Sequence, residues 1–326
     1  MSKGGIWCGT EKWQQRLFIH SLLPLHFMEE DMELVDVLSN VRDRTVKVLD
    51  KGSVSLVDVM PRLVPAEKGT CDFRVAEAAR ASFNRFEPAA KDEELVRFLM
   101  RERHTLPNEH VKFTFHMKAP IYVARQIDKS RTAAKSEASG RYVEFPEEFH
   151  EVRVEQVRRQ SKDNKQGSAG LLEGEGAQEF ADRSRAGPML AHECYKMHLK
   201  AGVAKEQART LLPLSLYTQF YWTIDLHNLL QHFLALRLDP HAQEETRLYA
   251  AAVLDLIRPL VPVTVQAWED YHPLRGGLLF SRMEVEHLRD MMASCGLPSG
   301  DLVGAGKREQ LEWQAKAFRL GLYGSE

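Results

Sequence analysis

The sequence predicts an α/β (α+β) chain, and three observations carry that expectation. Residues 111–118 alternate strictly, with Val111, Phe113, Phe115 and Met117 set against Lys112, Thr114, His116 and Lys118; this is the two-residue period of a half-buried strand. Residues 214–224 alternate again, with aromatic residues on both faces, so a strand covered on both sides is expected. Residues 92–103 instead place Leu95, Phe98 and Leu99 on one side of a helical repeat. At 326 residues, 44% hydrophobic and 28% charged, the chain has ample apolar material for a sizeable core.

The elements follow in order. Leu17 to Met28 is apolar, but two histidines interrupt it and no clear small-residue cleavage site follows. It reads as neither signal peptide nor membrane span, so the cytoplasm is the expected compartment. An acidic stretch from Met28 to Val41 reads as helical. Residues 46–64 read as short strands broken by Gly52 and Pro61, and 75–82 as a helix. After the strand at 111–118, Pro120 suits a first helical position, and Ile121, Ala124, Ile127 and Asp128 continue at helical spacing.

From Arg131 the composition turns small, hydroxylic and charged through Gly140 and Arg141. Such a segment cannot build a core. It is either a solvated basic loop or a place where backbone N–H groups, hydroxyls and guanidinium forks close on an anion.

Gln160 to Ser168 reads as a loop, and a helix is expected from about Pro188 to Ala201, closed by Gly202. Residues 202–213 form a short helix stopped by Pro213, in which Glu206 and Arg209 stand at ion-pair spacing. Residues 226–237 read as a helix. Asp239 and Pro240 are expected to cap and open the next one, with Tyr249, Val253, Leu254 and Ile257 as its apolar face. Ser281 and Glu284 stand at capping-box spacing before a helix to Leu297, and Lys307 to Leu320 forms the last.

A formal net charge of −2 argues against a dedicated nucleic-acid binder, so any anion site must be local. The four cysteines are scattered, without metal-ligand or disulfide spacing, and no metal is expected.

The run Arg125-Gln126 followed by KSRTAAKSEASGR, Lys129 to Arg141, resembles the signature RHRxxSxNExSxR of the flavin-dependent thymidylate synthases. Arg131, Glu137, Ser139 and Arg141 match it; Lys129, Ser130, Ala134 and Ser136 depart. Three further segments resemble the family in the same order: HTLPNEH from His104, GVAKEQARTLLPLSLYTQFYWT from Gly202, and LRLDPHAQEE from Leu236. The resemblance spans roughly Lys47 to Ala267. It implies a catalytic domain at 47–267, between an N-terminal extension at 1–46 and a C-terminal helical extension at 268–326.

What the resemblance implies is specific. The fold would be a twisted sheet with long helices, assembled as a homotetramer with active sites between subunits. The reaction would be C5-methylation of dUMP to dTMP, with reduced FAD as hydride donor, methylenetetrahydrofolate as carbon donor and NADPH as reductant, and without a cysteine nucleophile. Catalytic residues would be Arg237, Gln126 and Ser139. The nucleotide would meet Gln126, Glu137, Ser139, Gly140, Arg141 and Arg237, with Arg209 reaching the phosphate from a neighbouring subunit. Glu137, read by itself, is equally an ion-pair partner of Arg131 or Arg141.

On the flavin side the resemblance marks His104, Glu109, Lys129, Ser130, Arg131, Glu137, Asp225, His227, His232 and His241. Here the departures concentrate. Lys129 replaces a guanidinium fork with a point charge, Ser130 lacks the imidazole and Ser136 the amide. Asp225 and His227 stand in place of an Asn/Arg pair, and one extra residue falls at Gln231-His232. Two alternatives stay open: the same chemistry on UMP or dCMP, and a nucleotide-binding homologue without catalysis. Neither nucleic acid nor membrane is expected as a partner.

Overall fold

Leu34–Asp36 (β1) and Leu63–Pro65 (β4) pair antiparallel, and between them Thr45–Val48 (β2) turns into the nine-residue Gly52–Met60 (β3). The computed structural model describes residues 33–41, 44–84, 92–162, 165–275, 277–295 and 307–319; Leu17 to Met28 lies outside these. The expected helix to Val41 is, in its described part, β1 followed by a tight turn. The Asp36 carboxylate accepts the Leu38 N–H at 3.0 Å and the Arg62 guanidinium, and this local capping competes with helix.

Helices Asp72–Arg80 (α1) and Asp92–Arg101 (α2) lead through a 3-10 turn to Lys112–Pro120 (β5) and Ile121–Ile127 (α3). The alternation at 111–118 is realised fully: Val111, Phe113, Phe115 and Met117 are completely buried. The signature segment is not simply a loop, because Ala133–Glu137 (β6) is an edge strand.

Arg158–Gln160 (β7) and Ser168–Leu171 (β8) form a separate hairpin, followed by the 26-residue helix Glu175–Lys200 (α4). That helix begins thirteen residues before Pro188 and runs through it. Ala177 on one side of the proline and His192 and Tyr195 on the other are buried, and this packing outweighs the lost N–H.

Lys205–Ala208 (α5) precedes Tyr217–Asp225 (β9), which completes a five-stranded antiparallel sheet in the order β2-β3-β5-β9-β6. One face of it holds Phe115, Trp222 and Phe220, packed under Phe233 with the Trp222 and Phe233 rings 4.9 Å apart. The other face is open in the single chain: Tyr221 is 53% exposed beside His116, and the Thr114 and Thr223 hydroxyls lie 2.9 Å apart. Among the described residues the middle of β9 therefore has no full cover on this second face, while Tyr217 and Asp225 at its ends are buried.

Residues 226–237 form one helix (α6) whose middle, Leu229–Leu234, is π-helical. An extra residue in a helix is absorbed in this way, by widening one turn, and it falls where the sequence places Gln231-His232. Glu244–Ile257 (α7) starts four residues later than Asp239-Pro240 suggests. The Asp239 carboxylate is occupied by the backbone N–H and ring of His241 at 2.8 and 2.9 Å. The buried side of α7 includes Tyr249, Val253 and Ile257. The Tyr249 hydroxyl donates to the Lys118 carbonyl at 2.6 Å, through space that a Cβ on Gly52 would fill at 1.9 Å.

Pro262–Tyr271 (α8), Arg282–Cys295 (α9) and Lys307–Arg319 (α10) close the chain. The capping box forms as expected, with the Ser281 N–H donating to Glu284 Oε2 at 2.7 Å. Among the described residues, no helix is long and apolar enough to cross a membrane.

Candidate active site

Helix α3 places Tyr122 and Gln126 one turn apart, and α6 brings Arg237 to the same wall. The Arg237 Nη2 donates to the Gln126 carbonyl at 3.1 Å. Its guanidinium is half-buried, and burial lowers its pKa from the ordinary value. Both residues line a cleft of about 1440 Å³ whose far wall includes Gln160 and Ser168 of the hairpin and Phe180 of α4. The volume exceeds the roughly 300–1,000 Å³ of an ordinary small-molecule pocket. His241 sits at the rim with its ring largely exposed.

Two features of the cleft carry no sequence signature. Tyr122 Oη and His150 Nδ1 lie 2.8 Å apart in its wall, and burial pushes the His150 pKa down. Arg158 reaches across to pair with Glu244 and Glu245. Tyr122 stands four residues before Gln126, the one spacing that could have marked it; nothing local marks His150 or Arg158.

Ser139, Gly140, Arg141 and Arg209 form a second group, and none of them lines the cleft. The Ser139 carbonyl accepts the N–H groups of Tyr142 and Val143 at 2.9 and 3.1 Å, and its hydroxyl accepts that of Arg141 at 3.3 Å. Gly140 is buried at this turn. A Cβ there would meet the Phe145 ring at 2.5 Å and Arg209 Cδ at 3.1 Å. Arg209, expected to reach the phosphate from a neighbouring copy, thus lies beside Gly140 of its own chain. Glu206 pairs with Arg141 at 3.5 Å, where the helical spacing had suggested Arg209. Glu137 pairs with neither Arg131 nor Arg141. Its oxygens accept from the Thr218 hydroxyl at 2.8 Å and the Lys135 ammonium at 2.7 Å.

The remaining candidates divide between two places. Lys129, Ser130 and Arg131 occupy the turn from α3 to β6, with Lys129 and Arg131 exposed. His104 follows α2, its ring edge-on to Phe98 at 5.8 Å. Glu109 lies in the next turn, and α6 opens against that turn with Asp225, His227 and His232. The His227 and His232 rings are perpendicular at 5.4 Å. Burial and then the neighbouring His232 lower the His227 pKa. Asp225 is committed internally: its carboxylate accepts both the backbone N–H and the Nδ2 of Asn228 at 2.8 Å, capping α6. By contrast, His227 Nδ1 and Asn108 Oδ1 are buried with no hydrogen-bond partner among the described residues.

Residues 64–263 match the family model described as thymidylate synthase complementing protein. The flavin-dependent thymidylate synthase of Dictyostelium discoideum is 42% identical over 266 residues, 80% of this chain and 85% of that one. That of Thermus thermophilus is 44% identical over 273 residues, 82% and 95% of the two chains. Among solved structures, the UMP/dUMP methylase PolB from Streptomyces cacaoi, bound with 5-Br dUMP, aligns with a TM-score of 0.59 at 28% identity. It covers 69% of this chain and 98% of that one. The same methylase bound with 5-Br UMP gives 0.58 at 30% identity, covering 68% and 96%.

Proposed function

The chain belongs to the flavin-dependent thymidylate synthase family, and from that premise we propose that it methylates C5 of a pyrimidine nucleotide, dUMP to dTMP in first place. The observation that carries this reading is the packing of Ser139, Gly140, Arg141 and Arg209 into one cluster. A hydroxyl and two exposed guanidinium forks around a tight glycine turn suit a nucleotide phosphate bearing close to two charges, with charge-assisted bonds worth roughly 1.5–3 kcal/mol each. Arg237, desolvated and braced on Gln126, supplies a fixed donor for a pyrimidine carbonyl, where electron density rises as C5 reacts.

Because the phosphate group does not line the cleft that holds Arg237, a homotetramer with sites completed between copies fits them. The open face of β9 leaves surface for such contacts.

The flavin side fits a ring system with hydrogen-bonding edges, since His227 Nδ1 and Asn108 Oδ1 are buried and unpartnered among the described residues. His104, Glu109, His227 and His232 would hold FAD there, and Lys129, Ser130 and Arg131 from the turn after α3 and His241 from the cleft rim would meet other parts of it. Asp225 would act only through the helix it caps. Bound FAD would supply the hydride that completes the methyl group. Methylenetetrahydrofolate would bring the carbon, and NADPH would restore the reduced cofactor. A cytoplasmic setting goes with this reading and suits the free thiols of Cys71 and Cys194.

A second reading is the same reaction on UMP, favoured by the likeness to a UMP/dUMP methylase. The test is transfer of labelled carbon from methylenetetrahydrofolate to dUMP, UMP and dCMP with FAD and NADPH present. Greatest turnover with dUMP is expected. Greater turnover with UMP replaces the first reading by the second, and transfer to none of the three overturns both.

A further inference from the structure

We propose that Lys135 is a positioning residue for this reaction, clasping the two ends of the signature segment so that Glu137 and the turn at 129–132 hold their places. The inference rests on the nucleotide-methylating reading above.

Lys135 stands at a position the family signature leaves variable, yet it is the best-anchored side chain of the segment. Its neighbours on β6, Ala134 and Ser136, are exposed, while its own side chain is only 16% exposed. The ammonium lies 2.6 Å from Asp128, at the end of the helix that carries Gln126. It lies 2.7 Å from Glu137, two residues before the Ser139 turn. The Phe220 ring sits beneath it, 4.3 Å from ammonium to centroid. An ammonium drawn under an edge strand requires such compensation, and here two carboxylates and an aromatic face provide it.

The clasp spans a strained turn. Thr132 has φ +52°, a left-handed conformation that is a true outlier for a β-branched residue and persists only where its surroundings over-determine it. Asp128 and Glu137 flank that turn, and the Lys135 ammonium joins them across it. Glu137 is thereby oriented from two sides, by Lys135 at one oxygen and by the Thr218 hydroxyl at the other. Without the ammonium, Thr218 alone would hold it, and the turn carrying Lys129 to Arg131 would lose its tie to the strand.

The test compares Lys135→Met, which keeps the stem over Phe220, with Lys135→Arg, which restores a cation able to bridge both carboxylates. Dissociation constants for dUMP and UMP would be measured alongside KM, kcat and thermal melting. The inference expects nucleotide Kd and KM to rise about ten- to a hundredfold in Lys135→Met, with kcat within about threefold, and Lys135→Arg to recover most of the loss. Lys135→Met binding like the parent, or losing only melting temperature, overturns the clasp and leaves the methylation reading standing. Should Lys135→Met fail to fold, Asp128→Asn serves, since its carboxylate is 43% exposed; a several-fold rise in KM is expected, and an unchanged KM overturns the proposal. A parent protein that binds neither nucleotide overturns the functional reading itself, and the clasp with it.

Discussion

Arg237 and the Arg141–Arg209 pair are all guanidinium groups marked for one nucleotide, but they sit in opposite environments. Arg237 is half-buried in a cleft and held against a backbone carbonyl. Arg141 and Arg209 are exposed around a tight turn, and Arg141 faces Glu206. A desolvated donor keeps its direction and works in a low dielectric, where its field is strongest. Exposed forks capture a diffusing dianion but are screened by salt. On the proposed reading the contrast gives them different work: the first would stabilise the reacting ring and the second would hold the phosphate.

The largest expected effect is therefore at Arg237. Arg237→Lys keeps charge but loses the planar fork, and kcat should fall about a hundredfold or more, with a much smaller change in nucleotide KM. Equal losses in Arg237→Lys and Arg141→Gln would erase the distinction drawn here. Next, Arg141→Gln and Arg209→Gln should each raise KM by roughly ten- to a hundredfold with kcat largely kept, and parent KM should climb with ionic strength. Mixing dissociated Arg237→Lys and Arg141→Gln chains and reassembling them sharpens the comparison further. If the two groups meet across copies, activity should exceed that of either variant alone.

A smaller effect is expected from Gly140→Ala, whose Cβ would press on Phe145 and Arg209. Overpacking of this kind costs about 1–3 kcal/mol of stability, and the displaced Arg209 should raise nucleotide KM several-fold while kcat stays near the parent value. Smallest is the response to pH. Burial lowers the pKa of both His150 and His227 from 6.5, so between the folded values and 6.5 the unfolded chain binds more protons. Their contribution to stability is complete above pH 6.5 and is lost as pH falls toward the folded values. Thermal melts at pH 7.5 and 5.5 should show a drop, part of which disappears in His150→Gln.

Local pattern determined a good deal of this molecule. The two-residue alternation fixed which side of β5 is buried, because every residue there feels the same flat boundary between core and surface. The surplus residue that the resemblance marks at Gln231-His232 falls inside the π-helical turn Leu229–Leu234, since a helix has few ways to absorb one. Resemblance of motif marked Ser139, Arg141, Arg209 and Arg237 for one site; the chain groups the first three and leaves Arg237 in the cleft. What the pattern could not reach depended on partners distant along the chain. Helix α4 runs through Pro188 because buried residues anchor it on both sides. Glu137 turns to Lys135 and Thr218, not to an arginine, because β6 lies against β9. Arg209 stands beside Gly140 of its own chain only because the segments at 139–145 and 205–211 pack together. Elements are written in nearest-neighbour chemistry, whereas the grouping of charges into a site is decided by packing, which sums contacts that the order of residues does not display.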